Sequence, residues 1–209
     1  VGLFDIFKSA KKQDNFLIPY RAARALLNIM NGSCTTLEVL TEHVPELPKL
    51  KNTQKKKVLE ILSIVYLVQV QKIMWKRIIK DKRDAKTFEK ELFSQFEKEL
   101  GIQPEPLVRD YIAYIQHIGS HGEIQYVGSK INGEVLNVES GFLMHAIGVL
   151  WGNTLKHFTA MVIDIQNHIS EADVTPAQLP SLMASITPEI EAQKDVWKHT
   201  QEDKELEVK

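Results

Sequence analysis

Apolar side chains recur every three or four positions through most of this chain, with polar residues filling the opposite side. That period predicts helices. NFLIPYRAARALLNIMNG (15–32) places Pro19 in a first turn and ends at Asn31-Gly32, a C-terminal stop; TTLEVLTEHVPELP (35–48) opens on threonine caps and stops before Pro45. The segment 53–80 is apolar nearly all round between Val58 and Val70, which predicts a central helix. AKTFEKELFSQFEKELG (85–101) repeats Phe88, Leu92, Phe96 and Leu100 every four and closes on Gly101. PEPLVRDYIAYIQHIG (104–119) opens on prolines and ends at Gly119.

The pattern changes between Gly119 and Gly141. EIQYVGSKINGEVLNVES (123–140) is β-branched and Gly-spaced, and Asn132-Gly133 has the composition of a two-residue hairpin turn. A small β-hairpin near 123–139 is expected there, with Val127 facing Val138, as an excursion or flap on a helical body. GFLMHAIGVLWGNTLKHFTAMVIDIQNHIS (141–170) then reads as one long helix. Thr175-Pro176 and Thr187-Pro188 each pair a capping threonine with a proline suited to a first turn, which predicts two further helices. The fold class expected is all-α: an irregular bundle of about seven or eight helices, with 53–80 and 141–170 at its centre. Residues 1–170 form a single helical domain in this reading, and 171–209 an acidic helical extension.

Composition changes this picture little. The chain has 209 residues, 44% hydrophobic and 25% charged, with a net charge of −1, so it is no uniformly basic nucleic-acid coat. Its one cysteine, Cys34, excludes an intrachain disulfide and allows a reducing compartment. Charged residues interrupt the N-terminus before a signal peptide could form, and 58–70 is too short and polar for a transmembrane segment. A cytoplasmic protein is expected. No P-loop, dinucleotide fingerprint, nucleophile elbow, paired-cysteine site or metalloprotease motif occurs, and no cofactor is named.

The sharpest candidate chemistry is HFTAMVIDIQNH (157–168). At about 100° per residue, Asp164 falls near −20° and His168 near 20° from His157, so the three share one face. The apolar stripe (Leu143, Ile147, Trp151, Phe158, Val162, Ile165) lies beside them, which places them at the edge of the buried side. His157 and His168 stand about 16 Å apart along the axis and cannot share an ion, whereas Asp164 and His168 can. The expectation is a His–Asp hydrogen bond near the core, with a metal or ligand site as the alternative. His117 and His121 are four apart and precede Glu123, but Gly119 and Gly122 break the helix; His121 is a candidate ligand on the flap. Cys34 is expected to be a core or boundary thiol. Gly148 and Gly152, beside Trp151, allow another backbone to come close.

Charge is uneven. Residues 49–90 hold thirteen Lys/Arg against four Asp/Glu. Lys55, Lys56 and Lys57 open a helix, where they oppose its dipole; Lys76, Arg77, Lys80, Lys82 and Arg83 are placed at the other end of the same helix, where they favour it. The default is a solvated face, and the alternative is contact with nucleic acid or anionic lipid. Residues 171–209 hold nine acids against four bases, so this tail is expected to fold back on the basic region or reach a second copy. GLFDIFKSAKK (2–12) resembles the amphibian aurein-type membrane-active peptides over its opening Gly-Leu-Phe-Asp-Ile and following lysines. The resemblance implies an apolar face of Leu3, Phe4 and Phe7 that lies on a membrane or docks in its own domain, with docking expected because one short anchor binds weakly.

Three functions follow as expectations. The first is a non-enzymatic cytoplasmic protein acting through a protein partner or self-association. The second is a metal- or small-molecule-binding bundle, with hydrolysis as one option, built on Asp164 and His168 as ligands and His121 on the flap. The third is a peripheral nucleic-acid or anionic-lipid binder built on 49–90.

Overall fold

The computed structural model of the protein describes residues 14–119, 122–171 and 174–201. Among these the fold is all-α, with seven α-helices and no strand: α1 Ile18–His43, α2 Asn52–Ile73, α3 Lys82–Leu100, α4 Pro104–Ile118, α5 Gly122–Lys130, α6 Gly141–Glu171 and α7 Leu179–Gln201. The all-round apolar run of α2 is buried from Val58 to Val70 apart from half-buried Glu60, and α2 forms the axis of the core. It is long and apolar enough to span a membrane by length and composition, yet most of it is enclosed by neighbouring helices.

Hydrogen bonds at element ends follow the local chemistry. Asp81 accepts from Arg83 N–H at 2.7 Å and opens α3, and Gly101 closes it in the left-handed region at φ 68°. Gln54 reaches back to Lys51 N–H at 3.0 Å at the start of α2. The α2 helix ends in a wider turn, Met74–Ile78, in which Ile79 N–H donates to Met74 C=O five residues back.

Two helices expected at 15–32 and 35–48 are one, α1. Gly32 does not stop it. A Cβ there would lie 2.8 Å from the Phe158 ring, so this glycine lets α6 approach α1. Thr36, read as a cap, instead bonds Tyr66 OH of α2 at 2.6 Å, and neighbouring Ser33 donates to Ile29 C=O within the helix. The same holds near the other end of the chain, where Thr187 donates to Met183 C=O and α7 runs through Pro188 as a single helix.

The β-hairpin near 123–139 is overturned. Residues 122–135 are helical, as α5 followed by a π turn over Ile131–Val135. Val127, Ile131 and Val135 recur every four and are all buried, whereas Val138 is exposed, so the two valines do not face each other. A lone hairpin would have left this apolar set half in water. The turn residue with positive φ is Asn137, while buried Asn132 donates to Ser140 C=O. Glycine serves close approach here too: a Cβ on Gly128 would sit 2.2 Å from Met144 O, and one on Gly148 2.7 Å from Ile124 O. The glycine face of α6 is thus occupied by α5.

The α1 and α2 helices are antiparallel neighbours, tied at Thr36–Tyr66. Thr154 of α6 completes that hydroxyl cluster, and Arg21 donates to Gln166, so α6 is antiparallel to α1 as well. The α7 helix lies along α1. Ile186 packs with Leu17, Tyr20, Ala23 and Leu27, and Trp197 joins the main core. Its ion pairs to other helices among the described residues are Arg24–Glu189 at 2.7 Å and Lys194–Glu99 at 2.8 Å, so in one of the two this acidic segment supplies the base.

Candidate functional site

His157, Asp164 and His168 lie on the exposed side of α6, not at the edge of the buried one. The buried sector extends the other way, to Gln166 at about 180° from His157, because Arg21 meets it there and Gln166 in turn donates to Arg21 C=O. His168 Nδ1 stands 2.8 Å from Asp164 C=O and 3.6 Å from the Asp164 carboxylate, both side chains being 73% exposed. This is a loose i,i+4 surface pair, worth little in water. No group of three metal-ligating side chains converges anywhere among the described residues. His117 is exposed, Glu123 pairs with Lys72, and His121 lies outside the described residues.

Cys34 is buried, and that burial pushes its thiol up to about 11, so it is protonated at neutral pH. The Tyr126 hydroxyl is likewise pushed up to about 12, by burial between Tyr111 and Tyr114, whose rings stand 4.8 and 5.3 Å away.

The two lysine-rich clusters of 49–90 have different surroundings. Lys57 pairs with Glu60 at 3.3 Å. Lys56 lines a groove of about 610 Å³ with Glu60, Glu99, Lys194, Trp197 and Lys198, and Lys55 lines a cleft with Glu38 and Glu42. Acids from α1, α2 and α3 thus line the same hollows as this cluster, with Lys57–Glu60 an ion pair among them. Lys194 hydrogen-bonds Glu99 and holds its carboxyl below the usual glutamate value.

The second cluster is only in part at the end of the helix that begins with α2. Lys76 and Arg77 lie in the π turn and Lys80 follows it, but Lys82, Arg83 and Lys86 belong to the first turns of α3, whose dipole they oppose. That corrects the assignment of Lys82 and Arg83 to the C-terminal end of the preceding helix, whose last turn does hold Lys76 and Arg77. All six are exposed, against two acids in 75–86, and among the described residues none of the six is in an ion pair. In their midst Trp75 is 51% exposed, its indole N–H donating to Ala85 C=O at 3.3 Å. Neither Trp75 nor its proximity to both helix ends was singled out from sequence; a tryptophan directly before Lys76-Arg77 was the available signal. A separate apolar stripe, Phe142 (85% exposed), Val149 and nearby Val138, lies at the start of α6 and was also missed.

Fold and surfaces define an α-helical bundle with a basic corner around a tryptophan whose cations have no ion pair among the described residues. Searched as a whole, the chain matches no protein-family model, no curated protein and no solved structure.

Proposed function

We propose that this chain is a non-enzymatic docking module that holds a polyanionic surface against the end of its bundle where α2 gives way to α3. One observation supports it above the rest: six exposed cations without ion pairs among the described residues, crowded around half-exposed Trp75. Such crowding repels itself, and three of the six also oppose the α3 dipole, so the arrangement costs stability until an anion arrives. Chromatography on immobilised heparin tests it. Wild type is retained at low salt, and Lys76→Gln/Arg77→Gln/Arg83→Gln elutes at distinctly lower salt. Flow-through of the wild type at low salt ends this reading.

The partner-protein reading retains one specific observation, the 85% exposed Phe142 with Val138 and Val149. Its occupant is a second copy of the chain, and sedimentation tests that: concentration-dependent association is abolished by Phe142→Ser, and a monomer at all concentrations removes it.

A further inference from the structure

Resting on the docking reading above, the geometry points to a single-stranded nucleic acid as the polyanion held at the basic corner, with its phosphates on the cations and one base stacked on Trp75. The cations come from two elements. Lys76 and Arg77 lie in the π turn and Lys80 just after it, while Lys82, Arg83 and Lys86 stand on the first turns of α3. At about 100° per residue, Arg83 falls about 100° and Lys86 about 40° from Lys82, so these three share one sector of that helix. The two acids of the corner fall outside the sector. Asp81, whose carboxylate accepts the Arg83 backbone N–H, precedes the helix. Asp84 falls about 100° beyond Arg83.

Cations alone accept any polyanion, and Trp75 decides among them. Its indole N–H donates to the C=O of Ala85, a residue about 60° around α3 from Lys82, so the ring is held by one edge beside the cation sector. The residue is 51% exposed. Stacking needs an open aromatic face and little more, because every base has a face of its own. A bilayer asks for something else: attachment grows with the apolar area inserted, and interfacial tryptophans turn a polar edge to the headgroups. Here that edge is bonded inside the protein, and neighbouring Ile78 and Ile79 pack against the core. Trp75 is thus the one exposed large hydrophobic side chain of the π turn and α3. An acidic peptide would answer the cations and leave the ring unused.

The full chain is titrated with oligothymidylate and with a duplex of equal length, and binding is followed by anisotropy and by tryptophan emission. Trp151 and Trp197 are buried, so quenching by stacked bases reports chiefly on Trp75. Tighter binding of the single strand, quenched emission and reversal by salt are expected. With a phosphate on each of the six cations, log K falls with log salt at a slope of about −4, and Lys76→Gln/Arg77→Gln/Arg83→Gln flattens it to about −2. Trp75→Leu, which keeps an apolar side chain without a π face, weakens binding roughly 5- to 150-fold, and Trp75→Phe restores part of the loss. Quenching in the unsubstituted chain reads the stacking even where a substitution disturbs the fold. Equal or tighter binding of the duplex, absence of quenching, or full binding by folded Trp75→Leu overturns the strand assignment. Retention on heparin in that case leaves the docking reading standing, and capture by phosphatidylserine vesicles then makes a bilayer its partner. Loss of heparin retention ends both.

Discussion

Gly128→Ala should be the most damaging single-carbon change in this protein. The new Cβ would lie 2.2 Å from Met144 O and 3.0 Å from its carbonyl carbon. An unstrained carbon–oxygen contact is about 3.3 Å, so α5 and α6 must part by about 1 Å. The obstructing atoms are backbone and cannot rotate away, which places the cost at the upper end of the roughly 1–3 kcal/mol typical of overpacking. Alanine returns about 1 kcal/mol through helix propensity, leaving a net loss of about 2 kcal/mol. For a chain of this size that lowers Tm by about 4–8 °C. Gly152→Ala is the control: its Cβ would meet Ile124 Cδ1 at an ordinary 3.6 Å, so the change is neutral or stabilising by up to about 1 kcal/mol. Urea and thermal unfolding followed by circular dichroism compare the two. Equal stability of Gly128→Ala and wild type would refute the helix-on-helix contact that replaces the expected hairpin.

Three further outcomes are expected. Cys34 resists iodoacetamide in the native protein at pH 8 and reacts at once in denaturant, since burial holds its thiol near 11; fast native alkylation would contradict its buried placement. Glu99 has its folded value depressed below 4.5 by Lys194, so the pair's stabilisation is whole above that pH and is lost as pH falls through the lower folded value. Lys194→Met should therefore lower stability at pH 7 and flatten the acid limb of a stability–pH curve, and a limb parallel to wild type would disprove the linkage. Asp164→Ala and His168→Ala should each shift stability by less than about 0.5 kcal/mol, as expected of an exposed pair; a loss of several-fold that size would mean they are tied into the core.

Much of the architecture could be read from spacing alone, and the reasons are local. The Phe88–Leu92–Phe96–Leu100 repeat with Gly101 after it defined α3 and its end, and the prolines at 104 and 106 with Gly119 defined α4. Where local signals failed, a neighbour had changed their meaning. Gly32, Asn132-Gly133 and Thr187-Pro188 are punctuation in an isolated chain, yet each lies within or beside helical structure that packs on another element. Val127, Ile131 and Val135 did carry the helical period, but the glycines between them masked it. The site shows the same division: spacing placed His157, Asp164 and His168 on one face, but which face turned inward depended on Arg21 meeting Gln166 from 145 residues away.

By itself, then, the sequence determined the helical class, the central position of 58–70 and the charge imbalance of 49–90, because periodicity and composition are properties of neighbouring residues. Tertiary structure alone decided which glycines are contacts, which lysine cluster shares its hollows with acids, and that Trp75 stands among cations with no ion pair among the described residues. Those depend on close approach between helices distant in the chain, where a single Cβ or a single partner carboxylate changes the sign of the energy.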